Sequence, residues 1–255
     1  MSAVYFASDF HLGTPAKLDS VSREKLLVNW LDSCKSDMTA LYLVGDVFDF
    51  WFDYKKVIPR GFIRILGKLA ALRDSGIPIF YFTGNHDLWM FDYLQKELDI
   101  PIYHEPIETV IQGKKLLIGH GDGLGPGDHG YKMIKKVFSN KAAQYLFRWI
   151  HPDVGIAMAN FFSSKSRESQ DAIQEFLGPD KEWLIQYAET QLLTKDYDYL
   201  IFGHRHLPID YKLKNGKSHY INLGDWLTFQ SFAVMKEGEL TLQFYKNPNA
   251  SISTY

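Results

Sequence analysis

The sequence predicts an α/β protein: a mixed sheet or pair of sheets with helices outside and one helical insertion near Gly130–Ser169. Three observations point there. Short apolar runs alternate with longer amphipathic ones in the N-terminal part, the C-terminal part is dense in strand-like segments, and a long stretch between them carries helical spacing. Strand–helix–strand–helix order favours parallel strands joined by crossover helices.

Ala3–Ala7, Ala40–Val44 and Pro78–Phe82 are bounded runs rich in β-branched or aromatic residues and are predicted strands. Ser22–Ser33 carries Leu26, Leu27, Trp30 and Leu31 on one helical stripe, and Gly61–Ser75 carries Ile65, Leu66, Leu69 and Leu72. Gly76 followed by Pro78 stops the second helix. A helix is expected over Leu88–Leu98, then a hairpin of Glu108–Gln112 and Lys115–Gly119 turning at Gly113. Gly130–Thr194 is expected to be mostly helical. Strands follow at Tyr199–Phe202, Ile209–Leu213, His219–Asn222, Ser231–Met235 and Leu240–Tyr245, with Asn215-Gly216 and Glu237-Gly238 as hairpin turns.

The 255 residues are 46% hydrophobic and 23% charged, which excludes a disordered tail and suits a single domain over 1–255 with the insertion at about 130–170. The one cysteine, Cys34, cannot form an internal bridge, so a reducing compartment is expected. A net charge of −2 argues against a general nucleic-acid binder. The N-terminal run MSAVYFASDFHLG lacks the features of a signal peptide, and no segment reaches the ~20 apolar residues a membrane span needs. A cytoplasmic protein is expected.

Charge is unevenly spread. Between Tyr131 and Arg167 stand Lys132, Lys135, Lys136, Lys141, Arg148, Lys165 and Arg167 against Asp153 alone. Phe138, Tyr145, Phe147, Trp149, Phe161 and Phe162 lie in the same stretch.

Five predicted strands end in compact polar clusters: Asp9-Phe10-His11, Gly45–Asp49, Gly84–Asp87, Gly119–Asp122 and Gly203–His206. In open α/β sheets ligands collect at the carboxyl ends of strands, so these clusters should converge. Carboxylates, imidazoles and one carboxamide suit divalent manganese, iron or zinc. Asp9 and His11 are two apart, as are His204 and His206, a spacing that in a strict strand turns both side chains to one side. The two oxygens of Asp46 suit it to bridge two ions. Singly, Asp46 or Asp49 reads as a helix N-cap, Asn85 as a turn residue and His120 or His204 as a core histidine. Independent caps and turns have no reason to fall in this order at strand ends.

These five motifs resemble those of the calcineurin-like metallophosphoesterases, over most of the chain. The resemblance implies a four-layer α/β/β/α sandwich of two mixed sheets and a two-ion centre. One ion would be held by Asp9, His11, Asp46 and His206, the other by Asp46, Asn85, His120 and His204. Leu43–Trp51, His120–Gly123, Asp128–Tyr131, Ser163–Ser166 and Asn222–Trp226 further resemble the UDP-2,3-diacylglucosamine pyrophosphatases of lipid A biosynthesis. In that family the insertion is a lid over the acyl chains. Many of its members carry Arg where this chain has His86.

The chemistry is coherent with that. Divalent ions lower the pKa of a water and neutralise phosphoryl oxygens. His86 is expected to donate to the leaving phosphate with Asp87 fixing its tautomer, while Asp49 orients a ligand histidine and Asp122 acts the same way behind His120. Substrate contacts are expected from Asn85 and His86 at the centre, from Asp128 and Tyr131 on the sugar nucleotide, and from Asn160, Lys165 and Arg167 on phosphate or glucosamine. The basic, aromatic lid suits anionic headgroups and a peripheral contact with the inner membrane face. No obligate protein partner is expected. The rival readings are a phosphodiesterase acting on other nucleotides, a silent binding scaffold and a protein phosphatase.

Overall fold

The computed structural model describes residues 2–127, 129–159, 161 and 175–253. The first half runs β1 (Ala3–Ala7), α1 (Ser20–Cys34), β2 (Met38–Val44), α2 (Ile63–Asp74), β3 (Ile79–Phe82), α3 (Tyr93–Leu98), β4 (Ile102–Tyr103), β5 (Ile107–Ile111) and β6 (Lys114–Ile118). Then come α4 (His129–Phe138), α5 (Lys141–Arg148) and a helical stretch over 152–159 (α6). The chain continues with α7 (Trp183–Gln191), β7 (Tyr199–Phe202), β8 (Pro208–Lys212), β9 (His219–Leu223), β10 (Ser231–Lys236) and β11 (Glu239–Phe244).

Two mixed sheets form, ordered β11-β10-β1-β2-β3-β4 and β5-β6-β7-β9-β8. β1, β2, β3 and β4 are parallel in the first, as are β6, β7 and β9 in the second. Alternation along each strand divides the core. Val4, Phe6, Tyr42, Val44 and Phe82 meet Leu116, Ile118, Ile201 and Ile221 between the sheets. Tyr5, Ala7, Leu41 and Leu43 pack outward on Leu27, Trp30 and Leu31 of α1 and Ile65, Leu69 and Leu72 of α2. Leu117, Leu200 and Phe202 pack on Leu184, Ile185 and Ala188 of α7. The layers are therefore α/β/β/α, and β1, covered on both faces, is buried throughout.

Tertiary contacts moved several expected boundaries. α3 begins at Tyr93 rather than Leu88, because the Asp53 carboxylate accepts the backbone N–H groups of Phe91, Asp92 and Tyr93 from a distant loop. α2 begins at Ile63 after a left-handed Phe62 (φ 60°), and Glu24 of α1 accepts the N–H groups of Arg64 and Ile65 in place of a local cap. β4, two residues long, has no periodicity to read. The expected turn at Gly113 and that at Glu237-Gly238 both join antiparallel neighbours. Residues 175–182 are not helical, although they fall inside the expected helical stretch. Among the described residues no helix is long and apolar enough to cross a membrane.

Candidate metal centre

Because β1, β2 and β3 are parallel, and β6 and β7 likewise, the loops that follow them emerge at shared edges. Backbone bonds stitch those loops together: Asp9 N–H to the Gly45 carbonyl (3.1 Å), His11 N–H to that of Asp46 (3.0 Å), and Gly203 N–H to that of His120 (2.9 Å). The Trp226 N–H reaches the Asp9 carbonyl at 3.0 Å.

Asp9 and His11 reach one site by left-handed turns and not by strand alternation. β1 ends at Ala7, and beyond it Asp9 (φ 55°) and His11 (φ 44°) are left-handed. So are Asp46 (φ 53°), His204 (φ 66°) and His206 (φ 55°). Each such residue costs on the order of 1–3 kcal/mol and persists only where its surroundings over-determine it. Five of them cluster here, all acids and imidazoles. Nor are Asp46 and Asp49 helix caps, since the next helix starts at Ile63.

The ligand atoms of Asp9, His11, Asp46 and His206 lie within 4.8 Å of one another, and those of Asp46, His120 and His204 do the same. Asp46 belongs to both groups through one oxygen, not two. Its Oδ2 stands 3.8 Å from His11 Nε2 and 3.2 Å from His120 Nε2, while Oδ1 accepts the His86 N–H at 2.8 Å.

Buried polar atoms test whether a cation fits. Asp9 Oδ1, Asp46 Oδ2, Asn85 Oδ1 and His120 Nε2 are all buried without a hydrogen-bond partner. Their near neighbours are the site's own imidazoles, with Asp46 Oδ2 3.2 Å from His120 Nε2 and Asp9 Oδ1 3.2 Å from His206 Nε2, and buried carboxylate oxygens crowded in this way are costly unless something positive meets them. His11 Nε2 and His206 Nε2, two nitrogens of like kind, point at each other across 3.2 Å. Burial opposes charging His120, yet Asp46 and Asp9 outweigh it and raise its pKa to about 10. Burial likewise opposes ionising Asp9, but His206 and His11 hold its carboxyl well below the usual range. The donor set demands positive charge, and hard oxygen and imidazole donors suit a divalent ion.

Orienting partners hold three of the imidazoles, those of His11, His120 and His206, from behind. Asp49 Oδ1 lies 3.2 Å from His11 Nδ1, as expected of it. His120 Nδ1 donates to the Val44 carbonyl at 2.9 Å. Asp122 was expected there, but instead accepts from the Tyr131 hydroxyl (2.6 Å) and the Lys135 ammonium (2.8 Å). Asp225 Oδ2 is 3.5 Å from His206 Nδ1, a partner that sequence reasoning missed although it lies in the Asn222–Trp226 run. Gly84 is obligatory for space: a Cβ there would overlap Asp46 Oδ1 and stand 2.7 Å from His120 Nε2.

A model of the calcineurin-like phosphoesterases matches residues 3–208. The chain belongs to that family. It is a metal-dependent hydrolase. A UDP-2,3-diacylglucosamine hydrolase of Porphyromonas gingivalis is 37% identical, over 95% of this chain and 97% of that one. Proteins of the same name from Proteus mirabilis (30%, over 80% and 85%) and Aeromonas salmonicida (28%, over 93% and 91%) are also similar.

In this phosphoesterase the His86 ring is buried edge-on to His11, with centroids 4.7 Å apart. Its Nδ1 donates to the Asp49 carbonyl at 3.0 Å. Asp87 does not fix its tautomer. The Asp87 carboxylate accepts from Gly84 N–H (2.7 Å), Val47 N–H (3.0 Å) and the Tyr81 hydroxyl, so it ties the β2 and β3 loops together.

A cavity of about 370 Å³ opens beside Asn85 and His86 of the phosphoesterase. Phe50, Trp89, Ile134, Phe138, Phe147 and Met158 make most of its wall apolar, and Tyr131 lines it. Phe147 packs between Phe52 and Trp89 (centroids 4.9 and 4.6 Å), and Trp89 Nε1 donates to the Phe138 carbonyl at 2.8 Å. α4 to α6 thus cover the cavity, while Trp149 (75% exposed), Leu146 (69%) and Met133 (66%) turn apolar groups outward. Asp128, Asn160, Phe162, Lys165 and Arg167 lie outside the described residues.

Proposed function

We propose that this chain hydrolyses the pyrophosphate of UDP-2,3-diacylglucosamine to UMP and 2,3-diacylglucosamine 1-phosphate, a step of lipid A biosynthesis. The observation that carries this reading is the apolar cavity opening directly at Asn85 and His86. A diphosphate held at the centre would place a diacyl sugar in that cavity, a use that a phosphodiesterase for small nucleotides would not have. The P. gingivalis and P. mirabilis relatives, both UDP-2,3-diacylglucosamine hydrolases, support the same substrate.

Asp9, His11, Asp46 and His206 would hold one divalent cation, and Asp46, Asn85, His120 and His204 a second; Mn2+ is our choice, with Fe and Zn compatible with the same donors. Such ions supply a nucleophile at neutral pH and neutralise phosphoryl charge. The chain's own groups do the rest. Asp49 and Asp225 keep the Nε2 atoms of His11 and His206 turned inward. His86, its Nδ1 held by the Asp49 carbonyl, presents Nε2 to the leaving phosphate. Tyr131 and Asp128 contact the sugar nucleotide, and Asn160, Lys165 and Arg167 contact phosphate or glucosamine.

The whole chain acts as one domain with a lid at about 130–170. The lid's outward apolar groups, flanked by lysines, rest on the inner face of a membrane from which the substrate is drawn. Turnover of authentic diacyl sugar nucleotide across added divalent ions, with products identified by mass, tests the proposal. UMP plus the diacyl sugar phosphate is expected. Cleavage of simple phosphodiesters with none of this substrate would overturn it.

A further inference from the structure

Arg23 is 1% exposed, and nothing in the reaction outlined above uses it. It sits in the first turn of α1, where a cation opposes the helix dipole. Burying a guanidinium there is costly on both counts, so its contacts should reveal what offsets that cost. Its NH2 group donates to the carbonyls of His11 (2.8 Å) and Thr14 (2.7 Å), and NH1 donates to that of Leu18 (2.5 Å). Those carbonyls belong to the irregular segment that joins the first polar cluster to α1.

His11 is the point of the contact. It is left-handed at φ 44°, a conformation uncommon for any residue but glycine. Its N–H is tied to the Asp46 carbonyl at 3.0 Å and its carbonyl to Arg23, so the peptide units on both sides are fixed. With Nδ1 held by Asp49, the remaining Nε2 has one direction open to it, toward Asp9, Asp46 and His206. Lysine, a point donor, could not span three carbonyls as a planar guanidinium does.

We infer that Arg23 is a positioning residue: its guanidinium clamps the backbone at His11 and thereby sets the affinity of the cation held by Asp9, His11, Asp46 and His206. The inference rests on the two-ion reading above. Glu24, its neighbour, is also buried but holds the start of α2, and so serves as a control for general loosening of α1.

Titration of the metal-free full chain with Mn2+ alone, with free Mn2+ counted by electron paramagnetic resonance, tests it. Wild type and Glu24→Gln should each take up two ions with the same affinities. Arg23→Met should weaken one ion about 10- to 100-fold, the usual effect of losing an orienting partner, and the other less than about threefold. In a His11→Ala background Arg23→Met should add no further loss, since both act on one ion. Arg23→Lys, which keeps the charge and part of the bonding, should fall between and serves if Arg23→Met does not fold. Unchanged affinities, equal weakening of both ions, or full additivity with His11→Ala would overturn the inference. A wild-type chain that takes up one ion defeats the two-ion reading instead. In that case an unaltered affinity in the Arg23 variants overturns this inference as well.

Discussion

The backbone N–H of His86 donates to Asp46 Oδ1 at 2.8 Å, and this one bond divides the labour of the Asp46 carboxylate. With Oδ1 occupied, Oδ2 is left facing both His11 and His120. The loop that carries His86 therefore also aims the oxygen common to both groups of donors.

Asp46→Asn should strip the centre of both ions, since only a carboxylate oxygen has the charge to serve two cations. His206→Ala, which touches one group, should leave about half the metal. Metal analysis of the purified variants decides it; equal residual metal in the two would contradict a shared oxygen.

His86→Ala should lower kcat by roughly 10²–10⁴-fold, the range for loss of a proton donor, with metal content unchanged. The Asp46 contact is made by the backbone and survives the substitution. Normal turnover would remove the imidazole from the chemistry.

Asp87→Asn should destabilise the fold by about 1–3 kcal/mol, because an amide cannot accept the same three donors. Thermal unfolding reports that loss. The shape of the pH–rate profile should stay as in wild type, because Asp87 makes no contact with the His86 ring. A displaced profile would restore the tautomer role to Asp87.

Phe147→Ser should raise the KM for a diacyl substrate and spare a small chromogenic phosphodiester, because Phe147 packs on Phe52 and Trp89 in the apolar wall and is not one of the donors. Equal effects on both substrates would show that the wall serves the fold and not the acyl chains. Phe161, which is exposed, should matter less than Phe147 on this view.

Much of this protein was written in local pattern. The strand and helix spacings foretold β1, α1, β2, α2, β3 and the C-terminal strands to within a few residues, because burial on one or both faces imposes a period that the chain itself carries. The donors were legible for a related reason: an acid or imidazole placed just past a strand end is already at the sheet edge once the strands are parallel.

What the sequence alone determined, then, is which atoms arrive at the centre and from which loops. Only the tertiary structure decided how they are held. The left-handed turns at Asp9, His11 and Asp46, the Val44 carbonyl behind His120, Asp225 behind His206 and the Val47 N–H on Asp87 all depend on partners far away in the chain. A hydrogen bond between residues remote in sequence leaves no period to read, and a backbone carbonyl has no side-chain identity at all. That is why ligands can be named from a sequence while the groups that aim them must be seen in space.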